Sequence, residues 1–191
     1  MKRFLFAAIA CALFVLPAGD AFAGSVFGNV APALAPAISD ETAASAYCQK
    51  TGGSVVVRVP EYGTNGGKPL VLANPRNWCE YTAHDGSKID VLGATLYATK
   101  PSLAALAYYA EVQPGQCNGN PASCYCSLLG GTDLFGGINA AGGGWVGPGG
   151  LNDVLDACIF PDESSIDSFG LFYHSQDIIR GKDLAKVLRY H

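Results

Sequence analysis

The chain has 191 residues, 49% of them hydrophobic, with 12 Lys and Arg against 16 Asp and Glu, for a formal net charge of −4. So modest an acidity lacks the broad basic surface that phosphate neutralisation needs, which argues against nucleic acid as a partner. Beyond the N-terminus no run approaches the ~20 apolar residues of a membrane span.

The first residues read as an export signal. Lys2 and Arg3 precede an apolar run, Phe4 to Leu16, and Ala21-Phe22-Ala23 forms an A-x-A cleavage pattern before Gly24. Ala8-Ile9-Ala10-Cys11 weakly matches a lipoprotein box. However, the apolar run continues past Cys11, where a lipidated chain would turn polar, so residues 1–23 are expected to be a signal peptide. Periplasmic or secreted location in a bacterium is the expectation, and residues 24–38, rich in Ala and Pro, read as a loose lead-in.

A first unit is predicted over residues 39–113. Ser39 or Asp40 can cap a helix through Glu41–Cys48, and Gly52-Gly53 stops it by taking the left-handed turn. The β-branched run Ser54–Val59 predicts a strand broken by Pro60. After a turn at Tyr62–Gly67, Pro69–Leu72 can return beside that strand. Cys79–Ala83, His84–Ser87 and Lys88–Asp90 read as a hairpin, because Asp85-Gly86 suits a turn that demands positive φ. Ser102 caps a closing helix over Leu103–Tyr109.

A second unit is predicted over residues 114–191. Pro121 suits the first turn of a helix that Gly130-Gly131 ends. Ten glycines between Gly130 and Gly150 make that stretch costly to order, and Trp145 and Phe135 within it are the candidate contact surface. It carries no phosphate-binding glycine pattern. Asp162-Glu163-Ser164-Ser165 predicts a poorer hairpin turn. His174 is expected beyond a strand, and Asp183 caps a helix over Leu184–Tyr190.

The two units read as copies. Tyr47-Cys48 through Gly53 recurs as Tyr125-Cys126 through Gly131, and Asp85-Ser87-Ile89-Asp90 recurs as Asp162-Ser164-Ile166-Asp167, with a period of about 78 residues. The expected fold is α+β: two related, disulfide-stapled units of helix, antiparallel hairpin and helix, packed together. Without the signal six cysteines remain, an even number that implies a disulfide framework in an exported chain. If the copies share a fold, Cys48 pairs with Cys79 and Cys126 with Cys158. Cys117 and Cys124 are then left to each other across a turn-rich spacer. Zinc spacing is absent.

Catalytic signals are sparse. Oxidised cysteines cannot attack, no nucleophile elbow is present, and the only histidines are His84, His174 and the terminal His191. Asp85 with Asp90 and Asp162 with Asp167 are the carboxylate pairs that recur. The earlier member of each is explained by turn hydrogen bonding, the later by solvation on a strand face. From Cys124 to Ile179 there are seven carboxylates (Asp133, Asp153, Asp156, Asp162, Glu163, Asp167, Asp177) and no Lys or Arg. That stretch reads as a solvated face rather than a calcium site, since no EF-hand pattern occurs. No cofactor or metal site is expected.

Cys48, Gly52, Gly53, Cys79, Asp85, Gly86 and Ser87, matched by Cys126, Gly130, Gly131, Cys158, Phe160, Asp162 and Ser164, resemble a family of short bacterial periplasmic domains of unknown function that often carries a haemolysin label. Glu163 departs from its glycine, Ile89 and Ile166 from its third cysteine, and Leu92 and Phe169 from its tryptophan. The resemblance implies an exported protein and supplies no catalytic residues. The expected function is non-enzymatic binding of an envelope or extracellular protein. Inhibition of an exported hydrolase is the alternative, and a weak hydrolase using His174 or a carboxylate pair is the third reading. Membrane lysis lacks an amphipathic or spanning segment to carry it.

Overall fold

The computed structural model describes residues 41–133 and 141–190, all within one compact unit. The export signal with Cys11, the lead-in, Ser39, Asp40, Phe135 and His191 lie outside the described residues.

Helix α1 (Glu41–Lys50) ends in a turn where Gly52 takes φ 89°, as its sequence predicts. Strand β1 (Ser54–Tyr62) follows and does not break at Pro60. It pairs with β3 (Arg76–Thr82) over Ser54–Arg58 and with β5 (Gly143–Val146) over Val59–Tyr62. The proline therefore falls where the strand changes partners, and its carbonyl still accepts from the Leu72 N–H. Strand β2 (Leu70–Val71) returns beside Glu61 and Tyr62.

The predicted hairpin forms between β3 and β4 (Lys88–Leu92), with Gly86 at φ 82° in its turn. The poorer turn of the second unit also closes, between β7 (Ala157–Ile159) and β8 (Ser165–Asp167). There Glu163 adopts φ 63°, a conformation that a side chain disfavours. Each hairpin leads into a helix that periodicity did not reveal: α2 (Gly93–Tyr97) and α5 (Ser168–His174). His174 thus ends a helix rather than following a strand. Helix α3 (Leu103–Ala110) starts where Ser102 accepts from the Ala105 N–H, and α4 (Pro121–Leu128) is capped by Asn120. The helix expected over Leu184–Tyr190 shrinks to one 3-10 turn, Leu184–Lys186, with Asp183 accepting from the Ala185 N–H. Tertiary bonds replace the helical ones beyond it: Arg189 N–H donates to the Leu96 carbonyl, and Tyr47 Oη donates to Val187.

The sheet is mixed into this helical frame and is antiparallel throughout, in the order β6-β5-β1-β3-β4-β8-β7 with β6 at Val154–Leu155. Its two end strands, β6 and β7, are consecutive in the chain and separated only by Asp156. The sheet therefore nearly closes into a barrel through one covalent run, Val154 to Ile159, that serves β5 with its first half and β8 with its second. Strands of the first predicted unit, β1, β3 and β4, lie side by side in this one sheet, flanked on either side by strands of the second.

Period-two alternation assigns the faces. Cys79, Tyr81, Ile89, Val91 and Ile166 lie in the larger buried cluster together with Leu96, Tyr108, Tyr125 and Leu171 of the helices. On the other face Trp78 and Leu92 meet Leu155 and Ala157, with Trp145 packed against them. The cysteines stand as Cys48–Cys79, Cys126–Cys158 and Cys117–Cys124, with Cα separations of 5.6, 5.4 and 6.0 Å. Gly53 and Gly131 each lie against their own bridge: a Cβ would fall 2.9 Å from Cys48 Sγ at the first and 3.0 Å from Cys126 Sγ at the second. Glycine is required at both by close approach rather than by backbone angle.

Candidate functional site

Three places carry chemistry, and two of them are structural. The first is Arg58, which is 2% exposed. Position 58 lies on the same strand face as Val56 and Pro60, opposite the face that bears Val55, so its guanidinium points among the partners of β3, β4 and β5. Its Nε donates to Asp90 Oδ1 at 3.2 Å, Nη1 to Asp153 Oδ1 at 2.8 Å and Nη2 to Glu80 Oε2 at 3.4 Å. Lys88 reaches Glu80 from outside at 2.8 Å. Gly147 makes room, because a Cβ there would strike the Arg58–Asp153 pair.

Burial works against the Arg58 charge, but Asp90, Asp153 and Glu80 together raise its pKa above the ordinary value. Burial likewise pushes Asp90 up to about 6, with Arg58 pulling the other way. Asp167, opposite Ala157 on β7, is pushed to about 7 by burial and by the Asp90 charge, while it accepts from the Phe169 N–H as the cap of α5. The expectation that Asp90 and Asp167 are solvated strand-face residues is thus overturned: they are 3% and 6% exposed. Their parity puts them on the face that the closing sheet encloses. Asp85 and Asp162 remain in turns, accepting from Ser87 N–H and Ser164 N–H, so neither recurring pair faces itself across a cleft. Among the described residues no group of His, Cys, Asp and Glu is arranged to hold a metal.

The second place is His174. Its ring stacks on Tyr108 with centroids 3.7 Å apart, and Nε2 meets Glu111 Oε1 at 3.1 Å. The cysteines nearest a nucleophile's role are bridged, and His174 Nδ1 is buried with no partner. His84 lies exposed in the first hairpin turn.

The third place is an open groove of about 440 Å³. Leu106, Ala110 and Val112 form one wall, Leu128 and Leu129 the other, and Phe160 with Pro161 the base. Helix α3 explains it locally: Leu103–Ala110 has no charged side chain, and only one face of it, Ala104, Ala105, Ala107 and Tyr108, is buried. The leucines of its other face are left in water, Leu106 at 46%, as is Leu128 of α4 at 53%. No charged group lines the groove, but Glu111, Asp162 and Glu163 adjoin it in the chain.

Trp145 is half-buried in β5, its ring 5.3 Å from that of Trp78 in an edge arrangement. Its indole N–H is buried without a partner. The signal that could have pointed to the groove instead was the uninterrupted apolar run of α3. For Arg58 it was a lone charge within Ser54-Val55-Val56-Val57-Arg58-Val59.

No family model matches the chain, and no curated protein or solved structure is significantly similar to it. Among the described residues no helix is long and apolar enough to cross a membrane.

Proposed function

We propose that this is an exported, non-enzymatic binding protein, built from a duplicated unit, that holds a partner in the groove between α3 and α4. The observation that carries the reading is the groove itself: leucines 106 and 128 stand half in water on two helices whose remaining faces are fixed into the core. A contiguous apolar concavity of this kind is the default location for a contact. The three bridges and the export signal read from Lys2 to Ala23 support an oxidising compartment.

Matched local geometry supports the duplication. Ser54 pairs with Glu80, the residue after Cys79, and Thr132 bridges Ile159, the residue after Cys158. Gly86 and Glu163 hold the same left-handed place in their turns. Ser87 Oγ accepts from the Gly181 N–H, and Ser164 Oγ from the Ala104 N–H, so the segment that ends each unit seats on the other's hairpin.

Selection of random displayed peptides against the immobilised protein tests the binding reading, with the Leu106→Gln/Leu128→Gln variant as counter-target. Peptides retained by the wild type and released by the variant are expected. Failure to enrich any such peptide removes the groove as a contact. Turnover of ester, peptide or glycan substrates that is lost in His174→Ala would remove the non-enzymatic assignment.

A further inference from the structure

We infer that the groove accepts a polypeptide segment presenting a Lys or Arg side chain among apolar ones, with the cation seated at the C-terminal end of α4. This rests on the binding reading above and specifies its partner. In the other half of the molecule the corresponding place is already filled. Thr51, three residues after Cys48, has a carbonyl that accepts from Lys182 Nζ. The same ammonium lies 5.4 Å from the centroid of Tyr81, two residues after Cys79. A cation there satisfies an orphan carbonyl beyond the last turn of α1, complements the negative end of that helix and rests on an aromatic face.

The groove presents the same two elements without the cation. Leu129 is three residues after Cys126, at the C-cap of α4, and no described residue donates to its carbonyl. Phe160 is two residues after Cys158, in the place of Tyr81, and forms part of the groove. The segment seated here is Ser102–Ala105, whose contacts to the turn are made by the Leu103 and Ala104 N–H groups to Asp162 and Ser164. Ala104 takes the place of Gly181 there, so Ala105 stands where the other half supplies Lys182.

Charge agrees with this. The sequence has no Lys or Arg between Lys100 and Arg180, and every element of the groove comes from that stretch. Glu111 follows Ala110 and precedes Val112, both lining residues, while Asp162 and Glu163 follow the lining residue Pro161. An incoming cation therefore meets an apolar floor, an acceptor and an acidic rim, whereas an anionic segment meets like charge. The apolar walls demand side chains such as leucine on either side of it.

The test uses the full chain as exported and three fluorescein-labelled helical peptides of equal length: leucine with lysine, leucine with glutamine, and leucine with glutamate. Anisotropy at low and at physiological salt should show the lysine peptide binding one-to-one, at least tenfold tighter than the glutamine peptide, with the glutamate peptide weakest. Leu106→Gln/Leu128→Gln should abolish binding, while Leu70→Gln, on the exposed β2 strand, should not. Glu111→Gln and Glu163→Gln should each weaken the lysine peptide several-fold and leave the glutamine peptide unchanged. Equal binding of lysine and glutamine peptides, still lost in the leucine double variant, would overturn the cation while leaving the groove as a contact. No binding by any of the three overturns both. Self-association of the wild type that Leu106→Gln/Leu128→Gln disperses in sedimentation would assign the groove to a second copy and overturn the proposal.

Discussion

Val91 and Ile166 are partners across the β4–β8 ladder, and each also stands opposite a bridged cysteine, Cys79 on β3 and Cys158 on β7. The row Cys79–Val91–Ile166–Cys158 crosses four strands, and every member is 0% exposed. It is the place where the two disulfide-stapled segments of the sheet are joined.

Truncating this row should be among the most damaging core changes. Ile166→Ala is expected to cost about 2–5 kcal/mol and Val91→Ala somewhat less, since a cavity opens between two flanking strands, β3 and β7, that are fixed by bridges. Because the two side chains share one face of adjoining rungs, the double variant should depart from additivity by about 0.5 kcal/mol or more. Urea midpoints of the two single variants and the double variant measure both quantities.

Arg58 holds together carboxylates from two strands, β3 and β4, and from the β6 approach, so its loss leaves buried charge without a partner. Arg58→Met should destabilise the protein by about 3–5 kcal/mol. Asp153→Asn removes the most exposed of the three ion-pair acceptors, at 37% side-chain exposure, and should cost no more than about 1 kcal/mol. Equal losses in the two variants, read by thermal or urea unfolding, would show that the cluster is not organised by burial.

Asp167 gives stability a definite pH slope. Its folded pKa of about 7 lies above the ordinary carboxylate value, so the folded protein keeps a proton that the unfolded chain has already released. That contribution is fully present below about pH 4 and is lost as pH rises through about 7, with Asp90 acting in the same direction up to about 6. Stability should therefore decline between about pH 4 and pH 7 and level off above that. Asp167→Asn keeps an acceptor for the Phe169 N–H and removes the proton, so it should flatten this slope and raise stability at the alkaline end. Unfolding midpoints at four pH values across the window decide it.

Glu163 sits at φ 63°, where Gly86 sits at φ 82° in the other hairpin. Glu163→Gly should relieve a left-handed strain of about 1 kcal/mol, and Gly86→Ala should introduce a similar one. Melting temperatures should move a few degrees in opposite directions, by roughly 2–4 °C per kcal/mol for a domain of this size. A drop in both would mean that the Glu163 side chain contributes more than its backbone costs.

Much of the frame was legible from short stretches. Gly52 as a helix stop, Ser102 as a cap, Asp85-Gly86 as a turn and the return of Leu70-Val71 each depend on residues a few positions apart, so local backbone chemistry suffices to place them. Helices α2 and α5 were missed because each is too short for a 3.6-residue period to show. The Leu184–Tyr190 helix was over-read because its pattern was right but the Leu96 carbonyl and Tyr47 hydroxyl captured its backbone. Pro60 was over-read as a break because strand partners cannot be seen from one segment.

By itself, then, the sequence determined the cysteine framework, the turns and the α+β class, all of which follow from identities and spacings along the chain. Tertiary structure alone decided that Asp90 and Asp167 are enclosed, that Arg58 gathers Glu80, Asp90 and Asp153, that one residue separates the ends of the sheet, and that Leu106 and Leu128 share a groove. The reason is that desolvation and contact are sums over neighbours from distant strands and helices. A run such as Val57-Arg58-Val59 carries no record of which carboxylates will surround it once the sheet curls.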